Sequence, residues 1–204
     1  NVVLVITDDQ GYGDLGCTGN PVIKTPHTDK LANESVWLDD YHVAPTCSPT
    51  RAALISGHWT NRTGVWHTIM GRSMLRANEG TLGQMLQDNG YETGMFGKWH
   101  MGDNYPYRPE DRGFKEVYRH GGGGVGQTPD VWDNAYFDGQ IADLACDALK
   151  EQDEQPFFLA VGYRKPHLPF CAPQKYWNLY NRATIPMPVF AEHPKGAPEL
   201  AIRS

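Results

Sequence analysis

The sequence predicts an α/β protein, a largely parallel sheet flanked by helices. Three observations lead there. The chain opens on NVVLVITDDQ, a continuous apolar run ending in acids, which is the pattern of a strand buried on both faces of a parallel sheet. Strand-like runs then alternate with stretches of helical periodicity instead of clustering by type. Chemically reactive residues fall just past the ends of those runs, where open α/β sheets gather their ligand sites.

The elements follow in order. After the opening strand, TPHTDKLANES reads as a short helix, with Thr25 as its cap and Pro26 suited to the first helical position. SVWLDDYHV is read as a further strand. SPTRAALISG is a helix with Pro49 in its first turn and Gly57 as its stop. TLGQMLQDNG is another, begun by Thr81 and ended by Asn89-Gly90, and YETGMFGKWH supplies a short strand after it. Between 102 and 139 lies an aromatic, Gly- and Pro-rich stretch that includes HGGGGVGQTP. It is read as irregular surface loop, and its glycine run lacks the Lys-Ser/Thr sequel of a phosphate-binding loop. GQIADLACDALKEQ has apolar residues at 141, 142, 144, 145, 148 and 149, a helical stripe, and PFFLAVGY follows as a buried strand. The Pro-rich tail from 171 shows no closing element.

Composition narrows the function classes. A chain of 204 residues is one domain or a large piece of one, and at that size buries roughly 70% of the surface its unfolded form exposes. A formal charge of −6, with no Lys/Arg block longer than two, argues against nucleic acid as a partner. The longest apolar run, VVLVI, is far shorter than the roughly 20 residues of a membrane helix. Cysteines 17, 47, 146 and 171 form no C-x-x-C pair, which argues against structural zinc and a dense disulfide framework and leaves room for one bridge. The chain begins on a strand without Met, so upstream residues are expected to have been removed, and the compartment is not legible.

Asp8 and Asp9 follow the first strand, Lys98 and His100 follow TGMFG, and Lys165 and His167 follow PFFLAVGY. Each set has a plain structural reading as turn former, cap or loop residue. Adjacent carboxylates also suit a hard divalent cation. Cys47 is harder to dismiss. At a helix start, backbone N–H groups and the positive end of the dipole favour an anion, and Arg51 lies one turn on. Cysteine there is open to four readings: buried thiol, disulfide partner, metal ligand, or precursor of something more reactive. A cation, a helix N-terminus and metal-binding acids around one side chain would suit transfer of a sulfuryl or phosphoryl group.

CSPTRAALISG resembles the C-x-P-x-R signature of the type I sulfatases, with TDDQGYGDLGC, GKWHMG and FFLAVGYRKPHLPF matching in the family's order. The first 140 residues are similar to bacterial-type arylsulfatases, and 139–204 to the iduronate-2-sulfatase branch. The resemblance implies an alkaline-phosphatase-like sulfatase fold, incomplete at the C-terminus, with 1–204 as the N-terminal part of one catalytic domain. It implies that Cys47 is oxidised to formylglycine, whose hydrate is the nucleophile. Asp8, Asp9 and the modified Cys47 would hold calcium, in preference to magnesium. Arg51 would hold the hydrate, Lys98 bind a sulfate oxygen, His100 hydrogen-bond the hydrate or act as base, and His167 contact sulfate or protonate the departing alcohol, with Lys165 a weaker candidate.

The implied substrate is a small-molecule or carbohydrate sulfate ester. The implied maturation partner is the formylglycine-generating enzyme, in a secreted, periplasmic or lysosomal setting. The family's second pair of metal ligands and a further sulfate-binding lysine have no match here, since Asp88-Asn89-Gly90 reads as a helix end. The loop around Trp66, His67 and Met70 could line a substrate pocket. Two rival readings stand beside the sulfatase: a phosphonate or phosphate ester hydrolase of the same superfamily, and a non-catalytic relative.

Overall fold

The computed structural model describes residues 1–69, 71–119, 132–152, 154–187 and 195–196. Its strands are β1 (Val2–Asp8), β2 (Glu92–Gly97), β3 (Glu116–Tyr118) and β4 (Phe157–Pro166). Its α-helices are α1 (Pro26–Asn33), α2 (Cys47–Ser56), α3 (Thr60–Thr63), α4 (Leu82–Asp88), α5 (Phe137–Glu151) and α6 (Gln174–Trp177). The strands form one sheet in the order β1-β4-β2-β3, and every pairing is parallel. All four carboxyl ends therefore point the same way.

Alternation along the central strands fills two cores. Phe158 of β4 and Met95 of β2 meet Ala52 and Ile55 of α2 on one face, together with Trp99 and Phe114. Phe157, Leu159 and Val161 of β4, with Phe96 of β2, meet Ile141, Ala145 and Ala148 of α5 on the other. Burying one of these large side chains contributes about 1.5–3 kcal/mol, so the two helices are fixed by the sheet more than by their own propensity. Of the apolar stripe read from 141 to 149, α5 buries Ile141, Ala145 and Ala148, while Leu149 is exposed.

Several expectations need correction. β1 is not buried on both faces: it pairs only with β4 among the described residues, and Val3 and Val5 are exposed while Leu4 packs inward. SVWLDDYHV forms no strand. Asp39 and Asp40 make a turn, no described strand lies beside the segment, and Val36 and Leu38 face solvent. Thr25 does precede α1, but its hydroxyl gives no cap bond; it donates to Asp29 at 2.7 Å and accepts from the Gly16 amide at 2.8 Å.

The stretch from 102 to 139 holds β3 and a 3-10 turn at Pro109–Arg112, and the tail holds α6. HGGGGVGQTP and Met70 lie outside the described residues. Helix α4 has the Thr81–Gln84 capping box, and it ends at Asn89 with Gly90 at φ 84°, so Asp88-Asn89-Gly90 is a helix terminus. None of the four cysteines is joined in a disulfide. No described helix is long and apolar enough to cross a membrane.

Candidate active site

Helix α2 begins at Cys47 itself, with Thr46 as its extended N-cap and Gly57, at φ 70°, as its left-handed stop. The first amides of a helix have no partner within it, so residue 47 sits among spare donors at the positive end of the dipole. Pro49 falls in this turn, where its missing N–H costs nothing. The signature CSPTR is thus a helix start that aims its first side chain at the carboxyl edge of the sheet.

Cys47 Sγ lies 3.4 Å from His100 Nδ1. The other ring nitrogen, Nε2, is 2.9 Å from the Thr68 carbonyl oxygen, which can only accept. The ring proton therefore sits on Nε2, and in the neutral ring Nδ1 is left as an acceptor facing residue 47. Burial holds His100 below the ordinary imidazole range, and the Lys98 charge pushes the same way. His100 also has φ 60°, a left-handed conformation that a non-glycine residue adopts at some cost.

Asp8 is 2% exposed at the end of β1, between two cations. Its Oδ2 takes the Lys98 ammonium, and its Oδ1 lies 3.5 Å from Arg51 Nη2. Arg51 is 5% exposed and reaches from α2 across the strand ends, donating to the Lys98 carbonyl at 2.7 Å and the Tyr163 carbonyl at 3.4 Å. Burial lowers its pKa and Asp8 opposes that, with negative charge at position 47 also favouring the cation. A guanidinium remains charged in either case. Arg51 Nε and the buried Ser48 hydroxyl have no hydrogen-bond partner among the described residues.

Asp9 turns outward at φ 61°, and its carboxylate lies 3.6 Å from His167 Nε2. Lys165 points elsewhere: its ammonium donates to the His167 carbonyl at 3.3 Å and to the Pro169 carbonyl, beside Cys171 Sγ at 3.7 Å. The structure thus gathers Asp8, Cys47, Arg51, Lys98 and His100 into one connected group. Asp9 and His167 form a pair beside it, and Lys165 is tied into its own loop.

A family model described as Sulfatase matches residues 1–188. The chain belongs to the sulfatase family. Arylsulfatase G of Canis lupus familiaris is 45% identical over 117 residues, which is 56% of this chain and 22% of that protein. Arylsulfatase J of Mus musculus is 33% identical over 210 residues, 88% of this chain and 34% of that protein. Among solved structures, Ps i-CgsB in complex with k-i-k-neocarrahexaose matches with a TM-score of 0.75 at 27% identity, covering 89% of this chain and 49% of that one. A protein solved with its substrate D-glucosamine-2-N,6-O-disulfate matches with a TM-score of 0.77 at 26% identity, covering 93% and 39%. The sulfatase chain described here therefore spans well under half the length of these curated relatives.

Sequence reasoning missed five contributors to the site. The Thr68 and Tyr163 carbonyls act through backbone, which no residue type announces. Gly97 and Gly162 act by lacking a side chain. Asp138, in the first turn of α5, accepts the amides of Arg164 at 2.8 Å and Lys165 at 2.7 Å, and fixes the end of β4. An acid at a predicted helix start was its only signal.

Two implied groups can be tested against these residues. An oxidised, oxygen-bearing residue 47 fits: the position is partly accessible, its thiol is free, and unused donors on Ser48 and Arg51 lie one and four residues on. A hard cation fits less well. Carboxylates are the right donors, but calcium takes six to eight oxygens, and Asp8 and Asp9 together carry four. Asp8 is already neutralised by two cations, and no group of three or more His, Cys, Asp or Glu converges among the described residues.

Proposed function

We propose that this sulfatase chain carries the sulfate-handling part of a sulfuric ester hydrolase in which Cys47 is converted to formylglycine. The observation that carries the reading is the 3.4 Å approach of residue 47 to the acceptor nitrogen of His100, at the first turn of a helix whose Arg51 is locked behind it. A hydrated aldehyde at 47 would supply an attacking hydroxyl and a second one to expel sulfate, which a thiol lacks.

The chain's own residues do the rest. His100 Nδ1, held neutral by burial, receives a proton from residue 47, and the Thr68 carbonyl keeps the ring in that tautomer. The α2 amides and the Lys98 ammonium offset charge on sulfate oxygens. Arg51 holds the frame in place by joining α2 to the ends of β2 and β4. His167 stands at the outer side, where a proton for the departing alcohol is needed. Asp8 and Asp9 would give oxygen ligands to a divalent cation, calcium in preference to magnesium, completed from outside the described residues; no step above runs through it.

The test is mass spectrometry of the Cys47 peptide from the full-length protein made with a formylglycine-generating enzyme, followed by assays on p-nitrophenyl sulfate, phosphate and phosphonate. The aldehyde mass and preference for the sulfate are expected. An unmodified thiol in protein that still hydrolyses the esters would overturn the nucleophile, and preference for phosphate or phosphonate would overturn the reaction class.

A further inference from the structure

Beyond the sulfate site, at the same end of β4, lies a cavity of about 370 Å³ between that strand and the start of α5. Its walls are Tyr136, Phe137, Pro169, Pro173 and Tyr176, and Ala142 forms part of its lining. Such a mainly apolar, aromatic-walled space with a few polar groups is the usual form of a small-ligand site, and its volume lies in the range that holds a single ring. Lys165 joins the two sites: it lines the cavity, and its ammonium donates to the carbonyl of His167, the residue that faces Asp9.

The polar groups of the lining are unequal. Asp138 is spent on two backbone amides, and Asp133 takes the Lys175 ammonium at 2.8 Å. Lys165 is spent on carbonyls. Arg164 is different: its amide is bound to Asp138, but its half-buried guanidinium makes no hydrogen bond or ion pair with the described residues. Counting Lys175, the basic groups outnumber the two acids by one, and the unspent one is Arg164. A guanidinium left over in an apolar hollow is suited to bidentate capture of a carboxylate or sulfate.

We infer that this cavity receives the alcohol side of the substrate, and that Arg164 makes it select a ring bearing a second anionic group. This rests on the hydrolysis proposed above. The sulfate at residue 47 would be the first anion, the aromatic walls would pack the ring, and Arg164 would pair with the second.

The experiment uses full-length, matured protein and a matched pair of esters, phenyl sulfate and its 3- or 4-carboxyphenyl counterparts. Arg164→Gln is expected to lower the ratio of kcat/KM for carboxyphenyl over phenyl sulfate by about ten-fold or more, mainly through KM, the scale of one charge-assisted pair. Arg164→Lys should restore part of it. An unchanged ratio overturns the inference, as does an equal fall on both esters, which would mark Arg164 as structural. Calorimetric titration of Cys47→Ala with 3- and 4-hydroxybenzoate needs no turnover. Binding that weakens with Arg164→Gln would sustain the cavity even where no sulfate ester is hydrolysed, so that the two readings fail separately. Binding that is absent, or indifferent to Arg164, overturns it.

Discussion

Gly97, the last residue of β2, and Gly162, within β4, are register partners, and the Lys98 amide donates to the Gly162 carbonyl at 2.8 Å. A Cβ on Gly97, which has φ 105°, would lie 2.1 Å from that carbonyl oxygen. A Cβ on Gly162 would lie 2.7 Å from the Lys98 oxygen and 3.1 Å from Arg51 Nη1. The pair keeps open the gap through which the guanidinium joins α2 to the sheet.

Gly97→Ala should therefore destabilise the fold by about 2–4 kcal/mol, combining backbone strain with a contact to main chain that cannot yield. Gly162→Ala should cost less, about 1–3 kcal/mol, but should also dislodge Arg51. Gly13→Ala, with nothing within 4 Å of the added carbon, is the control. Denaturant midpoints at constant slope give the comparison. Equal midpoints for the three variants would show that the approach is not tight.

Asp8 is the only carboxylate paired to both Lys98 and Arg51 among the described residues. Asp8→Asn preserves shape and removes the charge, leaving two cations facing each other. Breaking a buried ion pair costs about 3–5 kcal/mol, and Lys98 is 17% exposed, so the lower end of that range applies. Chemical denaturation of Asp8→Asn and of Asp8→Asn/Lys98→Met separates the terms. The second change should return part of the loss, because it removes one stranded charge. A double variant no better than the single one would mean the pair is not coupled.

The legible part of this fold was what a local pattern writes down. Apolar runs marked β1, β2 and β4; Thr81 with Asn89-Gly90 framed α4; and Pro49 with Gly57 marked α2. β3 has three residues, too short for a period, and SVWLDDYHV has strand propensity but no described strand to pair with. Strand order rests on pairings far apart in sequence, Glu92 with Phe157 and Val2 with Phe158, and the second of these leaves one face of β1 exposed. The site's residue types were legible because their spacing is local. The pairing of Asp8 with Lys98, 90 residues away, was not, nor was the service of Thr68 and Tyr163 through their carbonyls.

His100 gives the pH dependence a definite sign. Its folded pKa lies below the ordinary value of about 6.5, so below that pH the unfolded chain binds a proton that the native site resists. Stability is present in full above the unfolded value and is lost as pH falls through the folded one. His100→Asn should flatten that part of the profile. Denaturation curves at pH 7.5, 6.5 and 5.5, wild type against variant, give the difference directly. A variant whose stability falls as steeply as the wild type would place the titration elsewhere.

Asp9 separates stability from function. Its φ of 61° is a conformation glycine adopts freely and alanine does not, and among the described residues its carboxylate pairs only with the partly exposed His167. Asp9→Gly should thus hold the fold near wild-type stability, within about 0.5 kcal/mol, since relief of strain offsets the added freedom of the unfolded chain. Asp9→Ala keeps the strain in a conformation that alanine tolerates less well than aspartate, and should cost about 1 kcal/mol. If Asp9 serves chemistry, both variants lose ester hydrolysis alike despite their different melting points. Activity that tracked melting temperature instead would assign Asp9 a structural task, and would leave Asp8 the sole acid of β1 with a claim on the reaction.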